Sequence, residues 1–214
     1  MRIALIHGTT AAVAPAVDGL AAGFPEAEPW NLLDDRLLPD ADAAGGLTPP
    51  LAERMRRLIA FAKDGGAAGV LLTCSMYGPV ATADFGVPVL APDEAAFARV
   101  AREGWANVLV VASFQTAALD AAQRLRAVAG GTEVESATST AAMGPSRSGD
   151  TAALADALEA TVRAGRGYDA VVLAQYSLAP AADLLQDRLG VPVVSGPLAA
   201  AALLKSQLTE RPRA

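Results

Sequence analysis

The feature that most constrains this chain is that it repeats itself. Residues 67–79 (AAGVLLTCSMYGP) align with residues 168–180 (YDAVVLAQYSLAP), 101 positions later. Gly86-Val87-Pro88-Val89 returns as Gly190-Val191-Pro192-Val193, and the apolar run 3–6 has its counterpart around 109–111. Each half also carries a Gly/Pro-rich loop ahead of its second helix, at 39–50 and 139–150. Self-similarity at a nearly constant offset marks a duplicated structural unit. The chain therefore reads as two similar α/β lobes, 1–95 and 96–196. A last helix over 197–208, the counterpart of 93–102, packs back onto the first lobe. The tail 209–214 is polar and is expected to fray.

The content of each lobe follows from the hydrophobic pattern. Short runs rich in Val, Ile and Leu stand at 3–6, 70–72, 87–90, 108–111, 171–173 and 191–194. None alternates with polar residues, which is how strands covered on both faces read. Stretches of helix length with apolar residues three and four apart lie between them, at 51–62, 93–102, 117–128, 151–164 and 178–189. Thr48 followed by Pro49 suits a capped helix start, and Asp150 suits another. Strand–helix alternation predicts an α/β fold of two parallel sheets flanked by helices and related by a pseudo-two-fold. Binding residues are then expected at the carboxyl ends of the strands.

Composition removes several classes of function. A chain of 214 residues that is 52% hydrophobic and 19% charged is not disordered. A net charge of −6 disfavours a nucleic acid partner, which needs a basic surface. One Cys and one His make neither an internal disulfide nor an ordinary structural zinc site, so no metal is expected. No apolar run reaches the ~18 residues of a membrane span. The amino terminus enters a strand directly without the pattern of a signal peptide, which reads as cytoplasmic. Ala-rich exposed helices suit a homodimer. No Gly-x-Gly-x-x-Gly follows a strand and no phosphate-loop lysine is present, so the chain carries no dinucleotide or phosphate-loop fingerprint.

The residues able to carry chemistry gather at the expected strand ends. Cys74 follows the strand at 70–72 and precedes a helical stretch, a position that favours the thiolate. It can serve as general base, general acid or nucleophile, or simply as a small buried hydrophobe. Thr73 and Ser75 flank it with hydroxyls. Gly8, Thr9 and Thr10 follow the first strand, where backbone N–H groups and two hydroxyls could cradle a carboxylate or cap a helix. His7 ends that strand, as a substrate donor, a neighbour that tunes Cys74, or a structural hydrogen-bonder. In the second half Gln175 takes the place of Cys74, followed by Tyr176 and Ser177. Ser113 and Gln115 are the counterparts of Gly8 and Thr10, placed to hold the other end of a substrate or to cap a helix. Asp34 and Asp35 end the second strand of the first half as loop or capping carboxylates.

Taken together, His7-Gly8-Thr9-Thr10 after the first strand, Leu71-Leu72-Thr73-Cys74-Ser75, the Val-Pro-Val strands and the duplicated lobes resemble the aspartate/glutamate/hydantoin racemase superfamily. The resemblance covers nearly the whole chain. It implies two α/β lobes with the active site in the cleft between them, and cofactor-free action on small carboxylate-bearing substrates. The superfamily includes amino-acid and hydantoin racemases, maleate isomerases and arylmalonate decarboxylases. It also implies paired cysteines, one from each lobe. Cys74 matches the first, whereas Gln175 stands where the second belongs, so a symmetric two-thiol racemisation is not expected.

Three readings follow. The first is a cofactor-independent racemase or isomerase acting at the carbon α to a carboxylate with the single thiol of Cys74. Substrate-binding roles then fall to Thr9, Thr10, Thr73, Ser75, Ser113, Gln115, Gln175, Tyr176 and Ser177. The second is a decarboxylase of a malonate-type acid. The third is a small-acid binding protein that has lost its second catalytic Cys.

Overall fold

A computed structural model describes residues 1–210. Its elements run, in chain order, β1 (Arg2–His7), α1 (Val13–Gly23), β2 (Glu28–Leu33), α2 (Leu37–Ala43), α3 (Pro49–Asp64), β3 (Gly69–Leu72), β4 (Val89–Leu90) and α4 (Glu94–Glu103). They continue as β5 (Asn107–Ala112), α5 (Gln115–Val128), β6 (Glu133–Thr138), α6 (Met143–Ser148), α7 (Thr151–Arg163), β7 (Ala170–Leu173), α8 (Ala182–Leu189), β8 (Val193–Ser195) and α9 (Pro197–Glu210). The strands form two parallel four-stranded sheets, β2-β1-β3-β4 and β6-β5-β7-β8. No helix is long and apolar enough to cross a membrane.

The chain divides into two units. One comprises Met1–Glu94 and the helix that begins at Pro197; the other is Ala95–Gly196. In the first, Ala4, Ile6, Val70 and Leu72 face α2 and α3 through Leu37, Met55 and Ile59. The intervening Ile3, Leu5 and Leu71 are equally buried. Because successive side chains of a strand point to opposite faces, burial of both sets explains why the runs show no alternation. In the second unit Val108, Val110, Val172 and Val194 pack with α4 and α5, and Leu109, Val111, Val171 and Leu173 with α7 and α8.

The repeat extends to individual hydrogen bonds. Thr73 N–H donates to Ile6 O as Ala174 N–H does to Val111 O. Val70 N–H to Pro88 O is matched by Val171 N–H to Pro192 O, and Asp34 N–H to His7 O by Ser139 N–H to Ala112 O. The helices after β4 and β8 are exchanged. Most of α4 packs in the second unit, whereas α9 lies against α1 in the first. A Cβ on Gly19 would stand 2.6 Å from Pro197 Cβ, and one on Gly23 would stand 2.8 Å from Leu198 O. That small-residue face lets the two helix backbones approach.

Several local expectations need correction. The strands expected at 87–90 and 191–194 are shorter and begin after their prolines, which cannot donate to a ladder; Pro88 and Pro192 contribute carbonyls instead. The helical stretch at 178–189 is a 3-10 helix, Tyr176–Ala181, followed by α8, because Pro180 cannot donate an i→i−4 bond. The Gly/Pro-rich loops contain part of α2, and α6 after a 3-10 turn at Thr140–Ala142. Thr48 precedes α3 with no side-chain cap, whereas Asp150 accepts from Ala153 N–H at 3.0 Å. Thr209 and Glu210 continue α9 rather than fraying; the rest of that tail lies outside the described residues.

Candidate functional site

Cys74 stands just past the carboxyl end of β3, in extended conformation (φ −108°, ψ 111°), half-buried, as the residue before a 3-10 helix, Ser75–Thr82. The helix expected there is of the tighter type, with Pro79 inside it. Its first internal bond runs from Tyr77 N–H to Cys74 O at 3.1 Å, so the N–H groups of Ser75 and Met76 precede it. Gly8, at the end of neighbouring β1, faces the thiol. A Cβ at Gly8 would lie 3.5 Å from each of Cys74 Sγ, Cys74 Cβ and Leu37 Cβ. A side chain at position 8 would therefore touch the sulfur.

Below the thiol lies a polar chain. His7 is fully buried. Its Nδ1 is 3.0 Å from Thr73 Oγ1 and its Nε2 is 2.9 Å from Asn31 Oδ1 on β2. Burial pulls its pKa below the ordinary value, partly offset by the Asn31 bond. The neutral imidazole then donates Nε2–H to Asn31 and accepts at Nδ1 from the Thr73 hydroxyl, for which Ile6 O at 3.2 Å is a second acceptor. His7 and Thr73 thus brace the strand ends that carry Gly8 and Cys74.

The remaining candidates of the first unit divide. Thr9 is half-buried and caps the 3-10 turn Thr10–Ala12 by accepting from Ala11 N–H at 3.4 Å; Thr10 is exposed. Ser75 is buried beside the thiol. Asp34 accepts Arg54 Nε at 2.6 Å and Arg54 Nη2 at 2.7 Å, while Arg54 Nη1 reaches Asp40 at 3.0 Å. That clamp ties the end of β2 to α2 and α3. Asp35 is exposed.

Sequence reasoning did not single out Asn31, Arg54 or Tyr77. Asn31 was hidden on a half-exposed edge strand whose polarity reads as solvation. Tyr77 lies wholly inside the first unit and donates to Leu37 O at 2.8 Å. Burial, together with negative charge on nearby Cys74, pushes its pKa up to about 12.

At the equivalent place in the second unit, Gln175 precedes the 3-10 helix after β7. Its Oε1 accepts from Ser113 N–H at 2.6 Å and from Ser113 Oγ at 2.9 Å. Ala112 and Ala174 replace His7 and Thr73, so no hydrogen-bonded polar pair underlies this strand end. Tyr176 and Ser177 are buried at the start of that helix. Gln115 is the exposed first residue of α5, whose cap position is Phe114. Among the described residues no group of three His, Cys, Asp or Glu side chains could hold a metal ion.

No protein-family model and no curated protein sequence matches this chain. Solved structures do. Aspartate racemase from Picrophilus torridus matches with a TM-score of 0.75 at 14% identity, over 99% of this chain and 96% of that one. Glutamate racemase from Francisella tularensis, in complex with D-glutamate, gives 0.74 at 16% identity over 98% and 81%. Allantoin racemase from Klebsiella pneumoniae gives 0.69 at 18% over 98% and 88%. The chain thus has the α/β fold of the aspartate, glutamate and allantoin racemases, with two similar lobes.

Proposed function

We propose that this protein is a cofactor-independent enzyme of racemase or isomerase type, acting at the carbon α to a carboxylate of a small acid with Cys74 as its acid/base group. The observation that carries the reading is the placement of the Cys74 thiol at the end of β3, facing Gly8, on a fold shared with racemases. The thiolate takes the α-proton: the C–H bond breaks, an S–H bond forms, and the electron pair moves into an enolate of the carboxylate. Return of that proton by the same thiol to the same face restores the starting acid, so inversion takes a proton from water on the opposite face of the enolate while Cys74 releases its own to solvent. Thr9, Thr10, Ser75 and the N–H groups ahead of the 3-10 helix are suited to stabilise the enolate, where preorganised donors are most effective.

A second reading is favoured by Gln175, which cannot ionise where the repeat would call for a second thiol. In a decarboxylase of a malonate-type acid, the C–C bond to CO2 breaks, the pair enters the enolate, and Cys74 alone protonates the carbon. Water then restores the S–H proton.

Both readings are tested by incubating aspartate, glutamate, hydantoins, allantoin and substituted malonates with the enzyme in deuterated water and following the α-position by NMR. Exchange with inversion at the α-carbon supports racemisation, exchange with retention marks a one-base half-reaction, and CO2 release with single-face deuteration supports the second reading. Binding of acids without exchange or CO2 release would leave a binding protein and overturn both.

A further inference from the structure

The side chain that stands in place of the second thiol has a fixed polarity. Ser113 donates twice to Gln175 Oε1, through its backbone N–H and its hydroxyl. A backbone N–H only donates, so the amide atom facing it is the oxygen. Nε2, with two N–H donors, is therefore turned away from Ser113 and has no hydrogen-bond partner among the described residues. Ser113 is only 3% exposed, whereas Gln175 is half-buried. The seat is locked by packing while the amide remains accessible.

We propose that Gln175 determines specificity: Ser113 holds its carboxamide oxygen, so its NH2 is presented as a hydrogen-bond donor to a carboxylate oxygen of the substrate. This rests on the reading of the chain as one that acts on small carboxylates. An amide neither takes nor gives a proton at neutral pH, so Gln175 can bind an acid but cannot deprotonate it. A hydrogen bond to an ionised acceptor is of the stronger kind. Replacing the donor by an acceptor in the same seat sets two carboxylates against each other.

The test is calorimetric titration of the full chain with L- and D-aspartate, L- and D-glutamate, malonate and phenylmalonate, each variant's fold being checked by its melting transition. Gln175→Ala is expected to weaken the acids that bind by about tenfold. Gln175→Glu is expected to weaken them by roughly a hundredfold at neutral pH. Part of that loss should return at about pH 5, as the new carboxyl protonates and again offers a donor. A purely structural role would not produce that pH-dependent recovery. Wild-type affinity in Gln175→Glu, or equal and pH-independent losses in both variants, overturns the proposal. If Gln175→Glu does not fold, unchanged affinity in Gln175→Ala does so. Acids that bind the wild type without exchange defeat the enzymatic reading and leave this one standing; a panel in which no acid binds defeats both.

Discussion

His7 Nε2 lies 2.9 Å from Asn31 Oδ1, so the only histidine of the chain is held from the edge strand and not by solvent. Its pKa in the folded protein is below the ordinary 6.5 that it regains on unfolding. Between those two values the unfolded state binds more protons, so stability rises with pH. The contribution is complete above the unfolded value and is lost as pH falls toward the folded one. The melting temperature should therefore drop on acidification from about pH 7 to pH 5. His7→Gln, which has no proton to gain, should flatten that limb. An unchanged acid limb in the variant would show that another group controls it.

Cys74→Ala should abolish α-proton exchange and leave the fold intact. The side chain is only half-buried at a strand end, packed against the margin of the core. Loss of an acid/base group costs on the order of a hundredfold to ten-thousandfold in rate. Exchange in deuterated water and a melting curve on the same sample check both halves. Wild-type exchange by the folded variant would remove Cys74 from the reaction.

Two glycines should respond oppositely to the same substitution. At Gly8 an added methyl would meet its neighbours at 3.5 Å, ordinary contact, so Gly8→Ala should keep stability within about 1 kcal/mol while crowding the thiol and slowing exchange. At Gly19 it would lie 2.6 Å from Pro197 Cβ and 2.7 Å from the Pro197 carbonyl carbon. Gly19→Ala should cost roughly 1–3 kcal/mol by forcing α9 away from α1. Urea unfolding of both variants, with exchange rates for Gly8→Ala, measures the contrast.

Tyr77→Phe leaves Leu37 O without its buried donor, at an expected cost of about 1–3 kcal/mol in chemical denaturation. The folded pKa of Tyr77 is raised to about 12, so its contribution holds below the ordinary value of 10 and is lost as pH rises through the folded one. The variant should lack that part of the alkaline limb.

The interior of the fold was legible and its margins were not. Strands β1, β5 and β7 carry burial on both faces, and that demand wrote itself as unbroken runs of Val, Ile and Leu. Edge strand β6 shows only Val134 fully buried, so Glu133–Thr138 reads as a polar connection. The same limit concealed Asn31, whose importance comes from His7 across the sheet and not from its neighbours in sequence. Cys74 could be placed because a strand end is set by local pattern. The 3-10 character of the helix behind it, and the inward commitment of the Thr73 hydroxyl, depend on Pro79 and on a partner 66 residues away.

The exchange of α4 and α9 has a consequence for the order in which the protein is made. The second unit is one uninterrupted segment, Ala95–Gly196, and is complete before α9 is synthesised. The first unit starts earlier but lacks α9 until the segment beyond Gly196 has been made, because Leu204 must come within 3.0 Å of the Cβ position of Gly69 on β3. The unit bearing Cys74 is thus begun before the other unit and finished after it. Until then the face of its sheet that α9 will cover stays open.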